Sequence, residues 1–191
     1  MTFDIVIPTK NRPNDLFNAV KSIISQTKIP NQLIVIDQSD SDKGKILVKS
    51  LNFPKKINLI YILDKSINGL VAARENALKY IKNEIICFLE DDIELDKNYI
   101  KEIELAFNSN KNMLGCSGTI INSTSENFFY RLFYRLTHVG LFTDRRPDIY
   151  YKLNRGILKY ISSNVINGGL SSWKKSVFNE FKFDTLNNFH M

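Results

Sequence analysis

Along residues 3–122, short uninterrupted apolar runs alternate with segments whose apolar residues recur every three or four positions. The first run, Phe3 to Pro8 (FDIVIP), predicts a strand closed by the proline. From Asp15 to Gln26, Leu16, Ala19, Val20, Ile23 and Ile24 fall on one helical face. The alternation continues with a strand at Gln32 to Asp37 (QLIVID), a helix at Asp42 to Leu51, a strand at Asn58 to Leu63 (NLIYIL) and a helix at Gly69 to Lys82. A strand at Ile85 to Leu89 (IICFL), a helix at Asp96 to Asn108 and a strand at Met113 to Ile121 complete it. Runs this apolar predict strands buried on both faces, as parallel strands with crossover helices are. The expected fold is α/β, a doubly wound, mostly parallel sheet.

Beyond residue 122 the pattern is less regular. Phe128 to Phe142 (FFYRLFYRLTHVGLF) places Phe128, Leu132, Phe133, Leu136 and Val139 on one helical face and Arg131, Arg135 and His138 on another. Packing on the domain's own core is one reading of that apolar face. Peripheral contact with an anionic membrane surface is the other. With no repeat or linker in view, residues 1–191 read as a single domain.

Composition narrows the classes. At 43% hydrophobic and 12% aromatic, the chain is too apolar for disorder. No apolar run reaches the ~18 residues of a membrane span, and Met1-Thr2-Phe3-Asp4 lacks a basic leader, so a cytoplasmic location is expected. Cys87 and Cys116 lie in strand-like runs and read as buried free thiols. The net charge of +6 is uneven: nine Lys/Arg face two acids, Asp144 and Asp148, between Arg131 and Lys175. No nucleic-acid-binding motif accompanies that charge, so a nucleotide diphosphate or a membrane surface is the better anionic partner and no nucleic acid is expected.

Ligands of open α/β sheets bind beyond the carboxyl ends of the strands. Those ends are polar here: Pro8-Thr9-Lys10-Asn11-Arg12, Asp37-Gln38-Ser39-Asp40, Asp64-Lys65-Ser66 and Glu90-Asp91-Asp92. Three consecutive carboxylates repel one another unless a cation screens them, and hard ions such as Mg²⁺ or Mn²⁺ take oxygen ligands, completing their shell with phosphate and water. A solvated acidic turn at a helix start is the plainer alternative. Asp37 can accept hydrogen bonds from ribose hydroxyls or a base imide N–H. Arg74, in the helix opened by Asn68-Gly69, can meet a phosphate or carboxylate, or pair with a helix neighbour. Gly168-Gly169, shortly before Trp173, suits a ligand-lining loop or a plain turn. His138 and His190 have no partner at ligand spacing, and no nucleophile elbow, Walker loop or Gly-x-Gly-x-x-Gly is present.

Taken together, Ile5-Val6-Ile7-Pro8-Thr9-Lys10-Asn11-Arg12, Ile34-Val35-Ile36-Asp37, Asn68-Gly69 to Asn76 and Phe88-Leu89-Glu90-Asp91-Asp92 resemble the inverting family 2 glycosyltransferases of GT-A fold. Residues 3–122 carry most of the resemblance. Asn167 to Asp184 carries it more loosely, with Gly168-Gly169 to Lys174 similar to the family's acceptor-side strand and Phe181-Lys182-Phe183-Asp184 similar to its "GgFDe" turn. The resemblance implies that residues 1–122 bind a nucleotide-sugar donor, expected to be a UDP-sugar, and that 123–191 form an incomplete acceptor-side part. Pro8, Thr9, Asn11, Arg12, Asp37, Asn68, Gly69 and Arg74 would line the donor pocket, and Gly168, Gly169 and Trp173 the acceptor side. Asp91 and Asp92 would be the family's catalytic acids, with Asp92 and Glu90 holding Mg²⁺ or Mn²⁺.

The family's general base usually lies shortly after the "GgFDe" turn, and the chain stops at Met191 without it. The expectation is a truncated chain whose base lies beyond Met191. The implied function is inverting, metal-assisted transfer of a sugar to the hydroxyl of a saccharide or lipid-linked saccharide acceptor. It belongs to cell-surface polysaccharide or glycolipid synthesis, at the inner face of the cell membrane. Two alternatives stand beside it: a non-catalytic fragment that binds nucleotide sugar, and an aspartyl phospho-receiver or phosphatase built on the same kind of sheet.

Overall fold

The computed structural model describes residues 1–119 and 166–184, together with Phe129, Leu132 and Phe133. The chain divides into two units, one formed by Met1–Gly118 with Ile166–Met191 and the other by Thr119–Val165. In the second unit Phe129, Leu132 and Phe133 are helical and exposed. The rest of the predicted 128–142 helix, including Arg131, Arg135 and His138, lies outside the described residues.

The first unit holds one six-stranded sheet. Its strands are β1 (Phe3–Thr9), β2 (Gln32–Asp37), β3 (Asn58–Leu63), β4 (Ile85–Leu89), β5 (Gly115–Ser117) and β6 (Leu170–Lys174), in the order β3-β2-β1-β4-β6-β5. β1 pairs in parallel with β2 and β4, and β2 with β3, whereas β6 runs antiparallel to both β4 and β5. Helices α1 (Pro13–Ile24), α2 (Lys43–Lys49), α3 (Leu70–Leu78) and α4 (Tyr99–Ser109) connect the strands, and a single turn, α5 (Val177–Glu180), follows β6. The alternation in the sequence thus becomes the predicted doubly wound, mostly parallel α/β sheet.

Side chains of a strand alternate between faces, so each inner strand feeds two cores. Phe3, Ile5 and Ile7 of β1 join Leu33, Val35, Cys87 and Leu89 on one face, beneath Leu16, Val20 and Ile23 of α1 and Ile100 and Phe107 of α4. Val6, Ile34, Ile36, Ile86 and Phe88 face the other way, onto Ala73 and Ala77 of α3. Each buried Ile, Leu, Val or Phe contributes about 1.5–3 kcal/mol, so this two-sided core holds the strand ends in place.

Several boundaries differ from the predicted ones, each for a local reason. α1 begins at Pro13, whose fixed φ suits the first helical turn. α3 ends at Leu78, before the expected Lys82, because the Asp4 carboxylate binds the backbone N–H groups of Lys82 and Asn83 in a loop. α4 starts at Tyr99, since the Asp96 side chain accepts from Asn98 N–H and holds 96–98 as an Asx turn. β1 continues through Pro8 to Thr9. β3 is only half-buried because it lies at the end of the sheet order, so its expected double burial does not hold. β5 closes at Ser117, and Ile120 and Ile121 of the expected strand lie outside the described residues. Both cysteines are free; Cys87 is buried and Cys116 half-buried.

Candidate functional site

Because β1, β2, β3 and β4 run in parallel, their polar carboxyl ends share one edge. β6 starts at that edge, with Leu170 opposite Leu89, so Gly168 and Gly169 arrive there too. The turn out of β1 is made by Asn11, whose φ of 58° is left-handed and is tolerated by Asn better than by most residues. Its N–H donates to Ser39 Oγ at 2.7 Å, joining the ends of β1 and β2.

Asp91 is the hub of the β1–β4 side. It is 6% exposed, accepts from Thr9 Oγ1 at 2.6 Å and pairs with the Arg12 guanidinium at 3.2 Å. The same Arg12 nitrogen lies 3.4 Å from Asp92 Oδ2. Burial raises the Asp91 pKa above the ordinary carboxylate value, opposed by the Thr9 hydrogen bond and the Arg12 charge. Arg12 is raised in turn, first by the charge of Asp91. Asp92 is exposed, whereas the Glu90 carboxylate lies against Gly169, where an added Cβ would meet it at 2.7 Å. The Glu90 N–H also donates to Gly169 O at 3.0 Å.

Asp37 is the hub of the β2 side. Only 1% exposed, it accepts from Ser39 N–H at 2.9 Å through Oδ1 and from the Tyr61 hydroxyl at 2.5 Å through Oδ2. Thr9, Asn11, Arg12, Asp37, Ser39 and Gly44 line one shallow cleft. Gln38 Oε1 accepts from Gly69 N–H at 2.8 Å, and Gly69 takes a φ of 90° open to glycine. Arg74 is buried and donates to Gly168 O at 2.7 Å, with its guanidinium 5.7 Å from the Phe88 ring centre. Burial lowers its pKa, and the Glu90 charge opposes that shift. Arg74 therefore spans from α3 to the glycine pair rather than pairing with a helix neighbour.

Two expected site residues are placed elsewhere. Pro8 is buried inside β1 opposite Ile36, one position short of the edge. Trp173 pairs with Ile86 and covers Gly115, where a Cβ would strike its ring at 2.6 Å. As β6 runs away from the edge, its fourth residue sits about 10 Å down the sheet, so Trp173 packs against the core and away from that edge. Asn68 is exposed beside Gly69. Phe183, in the segment similar to the "GgFDe" turn, packs on Phe88 and Phe178 and donates its N–H to Glu75. Ser39 belongs to the polar end of β2 expected at this edge, whereas Tyr61 and Gly44 carry no expectation; a lone tyrosine in the aliphatic run NLIYIL, next to a strand ending in Asp, is the signal for Tyr61.

The described residues contain no cluster of three acidic, His or Cys side chains able to cage a metal. The acids that are present fit a different arrangement. Asp91 is occupied by Thr9 and Arg12, while exposed Asp92 can offer one or two oxygens to an ion that takes its remaining ligands from phosphate and water.

Solved structures share this architecture. A mannosyltransferase from Pyrobaculum calidifontis, solved with GDP-mannose and Mn²⁺, superposes with a TM-score of 0.63 at 13% identity, covering 93% of this chain and 45% of that one. The glucosyl-3-phosphoglycerate synthase of Mycobacterium tuberculosis, solved with Mn²⁺, UDP and glucosyl-3-phosphoglycerate, gives 0.55 at 13% identity over 93% and 58%. The fold is GT-A. In sequence, the Escherichia coli UDP-Glc:alpha-D-GlcNAc-diphosphoundecaprenol beta-1,3-glucosyltransferase WfgD is 27% identical over 122 residues, 63% of this chain and 47% of that protein. The Campylobacter jejuni GalNAc(5)-diNAcBac-PP-undecaprenol beta-1,3-glucosyltransferase is 33% identical over 92 residues, 48% of this chain and 29% of its own length. The chain therefore spans less than half the length of these curated relatives. The sequence model described as Glycosyl transferase family 2 matches residues 4–180, nearly the whole chain, and the chain belongs to that family.

Proposed function

We propose that the strand-end edge binds a uridine diphospho-sugar and that the protein transfers the sugar, with inversion, to a saccharide hydroxyl. The observation that carries this reading is the pair of hubs at one edge, Asp37 over β2 and Asp91–Arg12–Asp92 over β1 and β4. Asp37 retains lone pairs for a base imide N–H. Asn11, Ser39 and Gly69 shape the backbone around the nucleoside. Thr9 and Arg12 fix Asp91, and Arg12 lies ready to meet the diphosphate. Asp92, with Glu90 two positions before it, would hold Mg²⁺ or Mn²⁺, which stabilises charge on the departing diphosphate. Arg74, Gly168 and Gly169 form the floor toward the acceptor.

The acceptor in this reading is a lipid-linked saccharide at the inner face of the cell membrane, the substrate class named for the two undecaprenol-dependent relatives. The 128–142 segment would approach the bilayer peripherally; its described members Phe129, Leu132 and Phe133 are 73%, 45% and 66% exposed. Among the described residues no helix is long and apolar enough to cross a membrane.

A nucleotide panel in thermal shift, with and without Mn²⁺, tests the donor site. UDP with Mn²⁺ should raise the melting temperature most, since ligand at 100 times its dissociation constant adds about 2.7 kcal/mol. No shift with any nucleotide overturns the reading. Product analysis with a UDP-sugar and a lipid-linked acceptor separates transfer from binding alone, and the product's anomeric configuration decides inversion.

A further inference from the structure

β2 and β3 are in register with Val35 opposite Tyr61 and Asp37 opposite Leu63. Tyr61 and Asp37 are thus diagonal neighbours on one face of the sheet, close enough for a long aromatic side chain to reach across. Tyr61 does so: its hydroxyl donates to Asp37 Oδ2 at 2.5 Å, while Ser39 N–H holds Oδ1. Burial and the Asp37 charge both raise the phenol pKa, so Tyr61 remains a donor over the whole working pH range. The pair is covered by α2 at its one buried glycine. A Cβ on Gly44 would lie 2.9 Å from the Tyr61 hydroxyl oxygen, 3.2 Å from Asp37 Oδ2 and 3.4 Å from Leu16. A side chain at that position would push the Tyr61 hydroxyl aside, so glycine lets α2 close over the two groups as they stand.

We propose that Tyr61 is a positioning residue for nucleoside recognition: its hydroxyl, held under Gly44, fixes the Asp37 carboxylate so that its free lone pairs face the uridine. The inference deepens the donor-site reading and rests on it. With one oxygen anchored by Ser39 N–H and the other by Tyr61, the carboxylate cannot rotate about its terminal torsion, which is otherwise broad. Without the hydroxyl, Asp37 keeps its charge and loses its orientation. The nucleotide then meets a carboxylate that must be reoriented as it binds. Tyr61 itself need not touch the ligand.

The test is a double-mutant cycle on the full chain, read as UDP affinity by calorimetry with Mn²⁺ present. Tyr61→Phe should weaken UDP about tenfold, the scale of one hydrogen bond to a charged group. Asp37→Asn should weaken it further. In the Asp37→Asn background Tyr61→Phe should cost nothing more, because a positioning residue acts only through the group it positions. Gly44→Ala reaches the same pair from α2 and should also lower affinity; it serves as the probe if Tyr61→Phe does not fold. A full tenfold loss in the Asp37→Asn background overturns the inference, as does a Tyr61→Phe protein that binds UDP like wild type. A wild type that binds no nucleotide overturns the donor-site reading itself, so the two failures are distinct.

Discussion

Two buried carboxylates lie toward opposite ends of the sheet's central strand pair, and they are treated differently. Asp4, near the amino end of β1, is wholly buried and accepts from Lys82 N–H at 2.7 Å, Asn83 N–H at 2.8 Å and Asn83 Nδ2 at 2.5 Å. Asp91, just past the carboxyl end of β4, has a hydroxyl and an arginine whose side chain is 54% exposed. Asp4 is satisfied by the loop it folds, so its charge does structural work and leaves nothing for a ligand. Asp91 depends on a partner that can swing away, and burial raises its pKa. A buried acid is thus a site candidate when its partners are incomplete or movable, not because it is buried.

The comparison is sharpest under mutation. Asp4→Ala strands three donors in the α3–β4 loop and should cost about 2–4 kcal/mol of stability by denaturant unfolding, with UDP affinity unchanged in the protein that folds. Asp37→Ala should do the reverse, weakening UDP by about 1.5–3 kcal/mol in calorimetry with a smaller effect on unfolding. If both variants lose stability and affinity together, the division between the two ends of the sheet fails. Asp92→Asn is expected to abolish the difference in UDP affinity between Mn²⁺ and chelator while leaving the free energy of unfolding within about 0.5 kcal/mol of wild type. Equal affinity with and without chelator in both proteins removes Asp92 from any metal role.

The smallest effect concerns pH. An acid with a raised folded-state pKa binds its proton more tightly when folded, so its contribution to stability is complete below the ordinary Asp value of about 3.9 and declines as the pH rises through the raised one. Asp91 should therefore contribute a loss of stability on going upward from about pH 4, and Asp91→Asn should remove that component of the slope. Glu104 provides the opposite sign. Lys28 holds its pKa low, so its contribution is present above the ordinary Glu range and is lost as the pH falls. Unfolding midpoints of Asp91→Asn and Glu104→Gln, compared with wild type across that range, separate the slopes.

Much of this was legible from periodicity because inner parallel strands are apolar throughout. FDIVIP, QLIVID and IICFL are β1, β2 and β4 nearly as read. NLIYIL looks the same in sequence, yet it is the half-buried end strand, because lateral position in a sheet leaves no mark on a run of apolar residues. β6 was visible only through family resemblance. Its core holds two serines, Ser171 and Ser172, and Ser172 donates to the Cys87 thiol and meets the Tyr99 hydroxyl. Those partners come from elements far away in sequence, so no local pattern announces the strand. In the site, charged residues at strand ends were legible, whereas the Tyr61–Gly44 arrangement depends on cross-strand register and on how closely α2 approaches.

The pairing of β5 with β6 has a consequence for the stretch of chain between them. Chain direction carries β5 toward the strand-end edge, and β6 starts back from it, with Ser117 opposite Ser171 and the Ser117 hydroxyl bonded to Leu170 O at 2.6 Å. Residues 119–165 are therefore tied at both ends by a short antiparallel clasp built into the sheet. Once such a clasp is made, doubling the length between its ends adds only about 0.6 kcal/mol of closure entropy. On this arithmetic the stretch between the two clasped strands can change in length at little cost to the sheet that anchors its ends.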